Sequence, residues 1–217
     1  MIKKSKKTRN IQLIKFFLPI ILGLSVYIIV GFLMQPSLRY QYWSLITAYF
    51  FPPFGKESVI PSGIILGFHP LVIALSIAFV DIIIALFLLW NYDYAKKIPV
   101  VGKFMEKVEN IGRSSSDKYG WIKPLRFIGI VLFVIVPFQG SGGLVGSIVG
   151  RLIGMKPINT FYAITIGAIS GTILIAYFAD AIFSVFIQNI LFGLLLLIII
   201  MVTAFMIFIY KRSKDTK

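Results

Sequence analysis

The sequence predicts an all-α polytopic membrane protein. It reads as a single membrane domain over 1–217, with about four full transmembrane helices, two re-entrant helical hairpins in an inverted repeat, and a cytoplasmic amphipathic helix. Three observations predict this. Hydrophobic residues make up 58% of the 217 residues, 18 glycines come on top, and mean hydropathy is +0.91. Soluble domains run about 45–50% apolar even with glycine counted. Next, 18 of the 22 Lys and Arg residues fall in three blocks. Finally, proline and glycine runs break two of the apolar stretches, and a short motif recurs beside both breaks. A net charge of +14 would otherwise suggest nucleic acid, but this much apolar surface cannot be hidden in a soluble core of this size. A soluble enzyme, a disordered basic protein and, with no cysteine, a disulfide scaffold are all excluded.

The elements follow in order. Lys3, Lys4, Lys6, Lys7, Arg9 and Lys15 precede or open the apolar run 11–34. That run is too long for a signal peptide and lacks a small-residue cleavage site, so it is expected to be a retained first span. Repeat unit 1 covers 40–91: a stretch over 44–51 and 58–68, broken by Pro52-Pro53-Phe54-Gly55-Lys56-Glu57, and then a span over 70–91. The segment 92–124 is a basic loop. Val100, Val101, Phe104, Met105, Val108 and Ile111 recur there at helical spacing opposite Lys103, Glu106, Lys107 and Glu109, as in a helix lying on the inner leaflet. Repeat unit 2 covers 125–182. It opens with a stretch over 125–136 and 143–155, broken by Pro137-Phe138-Gln139-Gly140-Ser141-Gly142-Gly143, and continues in a span over 158–180. A last span over 184–210 ends in the basic tail.

Short basic segments stay on the cytoplasmic side. The N-terminal block, the loop 92–126 and the tail can share that side only if each broken stretch returns to the face it entered from. The chain is therefore expected in the cell membrane, multi-pass, with both termini cytoplasmic. Gly63-Ile64-Ile65-Leu66-Gly67-Phe68-His69-Pro70 and Gly150-Arg151-Leu152-Ile153-Gly154-Met155-Lys156-Pro157, 87 residues apart, both read G-x-x-x-G-x-x-P. With the first hairpin entering from outside and the second from inside, the units form an inverted repeat, whose site belongs at the repeat interface near the midplane.

Few ionisable groups are expected at membrane depth, where a charge at a helix centre costs about 2.5–3.5 kcal/mol. Glu57 and Asp81 lie 12 and 11 residues from the His69–Pro70 boundary, so both come near the midplane. Two carboxylates brought together in low dielectric share a proton, which suits proton coupling. A structural alternative has Glu57 capping its half-helix and Asp81 bonding a neighbouring hydroxyl. Arg151 lies near the inner boundary, where it either snorkels as an anchor or binds an anionic substrate. Asp180 and His69 are expected at interfaces. The backbone amides of the Gly140-Ser141-Gly142-Gly143 tip could cradle a phosphate or carboxylate. No catalytic constellation, cofactor motif or metal-ligand cluster is present in the sequence, so neither an enzyme nor a cofactor is expected.

The elements Glu57-Ser58-Val59-Ile60-Pro61-Ser62-Gly63 and Val136-Pro137-Phe138-Gln139-Gly140-Ser141-Gly142-Gly143, with Lys118-Tyr119-Gly120 closing the basic loop, carry a resemblance. Over roughly residues 40–182 the chain resembles the small multidrug export protein family, related in plan to the DedA-type membrane proteins. Gln139 stands where that family usually has a second proline. The resemblance implies transport without naming the substrate. The expected function is a proton-coupled secondary transporter or exporter for a small amphiphile or a lipid-phosphate headgroup. Glu57 and Asp81 would carry protons, and Gln139, Gly140, Ser141, Gly142 and Arg151 would bind substrate. The expected partners are membrane lipids, that substrate and protons, with no nucleic acid and with room for a homodimer. The alternative is a non-transporting membrane scaffold.

Overall fold

The computed structural model describes residues 2–51, 53–95, 122–136 and 142–188, with single positions at 195, 198, 199, 202 and 206. The amphipathic run 100–111 and most of the span 184–210 lie outside the described residues. Among those residues the protein is all-helical, with seven helices. These are α1 (Ile2–Leu33), α2 (Pro36–Ala48), α3 (Lys56–Ile65), α4 (Pro70–Ala95), α5 (Ile122–Ile135), α6 (Gly143–Leu152) and α7 (Pro157–Gln188). Three segments are long and apolar enough to cross a membrane: Asn10–Leu33, Pro70–Tyr92 and Pro157–Ser184. The chain divides into two compact units, Met1–Ala176 and Tyr177–Lys217.

Both expected breaks are real. α2 stops at Ala48 and α3 starts at Lys56, while α5 stops at Ile135 and α6 starts at Gly143. The first arm begins earlier than its apolar stretch suggests, because Pro36 stands at the first helical turn, where its missing N–H is no loss. Tyr42 and Ile46 then bury the face of α2 that meets the rest of the protein.

The two copies of the motif fold alike. α3 and α6 are each 10 residues long and each follows a glycine in extended conformation, Gly55 or Gly142. Each ends in a left-handed glycine, Gly67 at φ 92° and Gly154 at φ 80°. In the first copy Gly67 N–H donates to Ile64 O and Phe68 N–H to Gly63 O. In the second, Gly154 N–H donates to Arg151 O and Met155 N–H to Gly150 O. This is the Schellman stop, in which the last carbonyls of a helix accept from the residues just beyond it. The first glycine of each motif lets the short helix lie against the long one that follows. A Cβ on Gly63 would stand 2.8 Å from Ile73 Cγ1, and one on Gly150 would overlap Thr160, the residue equivalent to Ile73. Pro70 and Pro157 then open the long helices.

Within Met1–Ala176, α1 and α4 run antiparallel. Asn91 Nδ2 donates to Lys15 O (3.1 Å), Phe16 meets Phe87 edge-on at 5.4 Å, and Gly23 faces Ile83 further along. The core beyond α4 is Ala78, Ala85, Ile130, Val134, Met155, Ala163, Ile164 and Ala168, drawn from α4, α5, α7 and the α6–α7 turn. Half of these eight are alanines, and small residues let membrane helices approach closely. Most apolar side chains of α1 from Ile11 to Leu33 are exposed, a surface suited to lipid and not to water.

Candidate functional site

Asp81 lies in the middle of α4 and is 1% exposed. Its Oδ1 accepts from the backbone N–H of Gly143 (2.9 Å) and from the hydroxyl of Tyr49 (2.9 Å). The first bond has a local cause. The opening N–H groups of α6 have no partner inside the helix, and its capping residue, Gly142, has no side chain to offer. A carboxylate from α4 takes that place, where the positive end of the helix dipole favours an anion. The approach depends on the absence of side chains at the tip: a Cβ on Gly142 would overlap Asp81 Oδ1, and one on Gly143 would overlap the Asp81 carbonyl oxygen.

Lys56, the first residue of α3, is 2% exposed. Its ammonium donates to the carbonyl oxygen of Val134, in the last turn of α5. The last carbonyls of a helix lack internal donors and carry the negative end of the dipole, so a cation is favoured there. The charges of Asp81 and Glu57 both act on Lys56. α3 and α4 thus cap both helix ends that flank the second break, with the Lys56 amine on the end of α5 and the Asp81 carboxyl on the start of α6.

Glu57 follows Lys56 in the first turn of α3 and is half-buried, folded back over Gly55, whose missing side chain leaves it room. Ser58 fastens this turn, its Oγ accepting from Gly55 N–H at 3.1 Å. Among the described residues, Glu57 Oε2 and Asp81 Oδ2 are buried without a hydrogen-bond partner. Tyr49 completes the group, since the charges of both Asp81 and Glu57 act on it.

The structure thus brings Glu57 and Asp81 into one charged cluster with Lys56 and Tyr49. Of the predicted tip residues, Gly142 borders the cluster, while Gln139, Gly140 and Ser141 lie outside the described residues. Arg151 is not brought to it. Arg151 lies in the last turn of α6, roughly 12 Å of helical rise from Gly143, donates to Met155 O (2.8 Å) and stacks over Tyr92 at 4.7 Å. His69 is exposed, its Nδ1 accepting from Leu71 N–H at the start of α4. Asp180 is partly exposed in the second unit. Among the described residues no three His, Cys, Asp or Glu side chains come together as metal ligands.

Lys56 and Tyr49 were not singled out as site residues from sequence. Lys56 did carry a signal. It stands outside all three basic blocks, beside an acidic residue at a predicted hairpin tip, where no interface explains it. Tyr49 carried none, because a tyrosine in an apolar stretch is common.

Long apolar helices and a largely buried cluster of ionisable side chains, set where two broken stretches meet, define an all-helical integral membrane protein with a polar site inside its apolar body. The family described as "Putative small multi-drug export protein" matches residues 57–174, more than half of the chain, and the chain belongs to it. The match starts at Glu57, takes in Asp81 and both G-x-x-x-G-x-x-P motifs, and ends within α7. No curated protein and no solved structure matches the chain.

Proposed function

We propose that the protein is a proton-coupled exporter of a small amphiphile, working at the Lys56–Glu57–Asp81 cluster. One observation carries the reading: a buried cation and two carboxylates are gathered where the first repeat unit caps the broken helices of the second. Charges this costly to bury need an account beyond stability. A proton fits them well. On the Asp81 carboxylate it would cancel the charge that holds the start of α6 and remove the counter-charge of Lys56. Both caps across the second break would loosen together. The unit boundary can then open on one side or the other, depending on whether the carboxylates hold a proton.

In this reading each broken arm is a re-entrant hairpin, the two units are related as an inverted repeat, and the plan is DedA-like. The common fold of the two motif copies and the antiparallel run of α1 and α4 support it. Both termini and the loop 92–126 then lie in the cytoplasm, where their basic residues are retained. Arg151 serves as the inner-end anchor of α6.

The experiment is proton flux in liposomes holding the purified protein and a pH-reporting dye. Adding an amphiphilic substrate should move protons with the wild-type protein, and Glu57→Gln should lower that flux at least about tenfold, within the range one proton-transfer group contributes. Unchanged flux in the variant would remove Glu57 from the coupling step.

A further inference from the structure

We infer that the cluster of Lys56, Glu57 and Asp81 takes an organic monocation, which binds in exchange for the Lys56 ammonium. This rests on the reading of the cluster as a transport site and adds the sign of the substrate's charge. The cluster holds two carboxyl groups against one amine, so with all three ionised it is short of positive charge. The shortage has an address. Asp81, 1% exposed, has Oδ2 buried without a partner among the described residues, and so does Glu57 at Oε2.

The cation already there is displaceable. Lys56 feels both carboxylates, yet its ammonium hydrogen-bonds to a neutral carbonyl, that of Val134. A substrate ammonium that reached the carboxylate oxygens would compete with Lys56 for their charge, leaving the lysine its bond to α5. An anion is badly placed by comparison. The start of α6, where a phosphate or carboxylate would be welcome, is occupied by Asp81. A phosphate group would have to displace that carboxylate or add a third negative charge.

The residues leading into the cluster suit the apolar body of such a cation. Tyr49, Phe50, Phe51 and Phe54 fill the turn before Gly55, and the last three are 57%, 62% and 49% exposed. Tyr49 is the residue that bonds Asp81, and its ring lies 6.5 Å from that of Phe50. Aromatic faces attract organic cations by their quadrupole as well as by burial.

Tetraphenylphosphonium and tetraphenylborate, alike in shape and opposite in charge, test the inference. Binding of each to the purified full-length protein is measured by equilibrium dialysis, corrected for uptake by protein-free micelles. The phosphonium should bind at least about tenfold more tightly than the borate. Lys56→Met, which removes the competitor, should tighten phosphonium binding several-fold. Glu57→Gln should weaken it at least about tenfold. Glu57 is the deciding variant because Asp81 also caps α6, so Asp81→Asn could act through folding. Equal or tighter binding of the borate, or phosphonium binding unchanged by Glu57→Gln, would overturn the inference. The proton reading fails separately: charge-selective phosphonium binding with no linked proton flux upholds the cation site and removes the coupling. Proton-linked export of an anion does the reverse.

Discussion

At the scale of single residues, the site is a set of helix ends capped by the wrong helix. Asp81 closes α6 and Lys56 closes α5, although neither belongs to the helix it caps. Breaking a buried charge arrangement by removing one partner costs about 3–5 kcal/mol, because the other charge is left uncompensated. Asp81→Ala and Asp81→Asn both remove that charge and should both lower thermal stability in detergent, and Asp81→Ala should lower it further because Asn keeps an acceptor for Gly143 and Tyr49. If the two fall equally, the carboxylate oxygens are not what holds α6. Lys56→Met and Asp81→Asn should also be non-additive. Their double-mutant cycle should give a coupling of about 1 kcal/mol or more, whereas independent sites add to within about 0.5 kcal/mol. Tip geometry makes a sharper demand. Gly143→Ala would press a methyl group into the Asp81 backbone, so size-exclusion profiles should show loss of folded protein even though alanine is the better helix former.

At the scale of elements, the two short helices are stopped by the same device. Gly67 and Gly154 both take left-handed conformations, which cost an L-residue about 1–2 kcal/mol. Gly67→Ala and Gly154→Ala should thus lower stability by similar amounts, read as matched shifts in the detergent melting temperature. Open space surrounds Gly67, so its penalty is purely conformational. A Gly67→Ala variant as stable as wild type would mean that the Schellman stop does not set the end of α3. The devices differ at the starts of these helices. α3 is fastened by its own Ser58, whereas α6 has no side-chain cap of its own and relies on Asp81. A repeat that is symmetric at its stops is asymmetric at its starts, and the charged cluster sits on that asymmetry.

At the scale of the whole molecule, the proposed topology can be tested directly because the chain contains no cysteine. Single cysteines at Phe54, Asn110, Ser141 and Phe183 can be labelled from either side of sealed vesicles. Asn110→Cys should react only from the cytoplasmic side. Reaction from outside would overturn the re-entrant reading of the first hairpin, and with it the inverted repeat. The antiparallel contact of α1 with α4 agrees with the cytoplasmic assignment, since it brings Asn91, near the start of the basic loop, beside Lys15 of the N-terminal block.

Much of this was legible in the sequence, and the division has a physical cause. Apolar length, charge blocks and helix breakers are local properties, so the membrane class, the long helices, both breaks and the recurring motif could be read from neighbours along the chain. Burial cost also picked out Glu57 and Asp81, because a charge in an apolar stretch is conspicuous wherever it folds. What remained hidden depends on which helix ends meet. Nothing near Lys56 announces that its ammonium reaches α5, 78 residues away, and nothing near Asp81 announces the start of α6, 62 residues away. Arg151 had two readings in sequence, and the distance from Gly143 to the end of α6 sets it apart from the cluster. The amino-acid order by itself determined the membrane class and the two breaks, although the helix expected to end at 180 runs on to Gln188. Tertiary structure alone decided which charges face one another, because unsatisfied helix ends can be capped from anywhere the fold brings a charge.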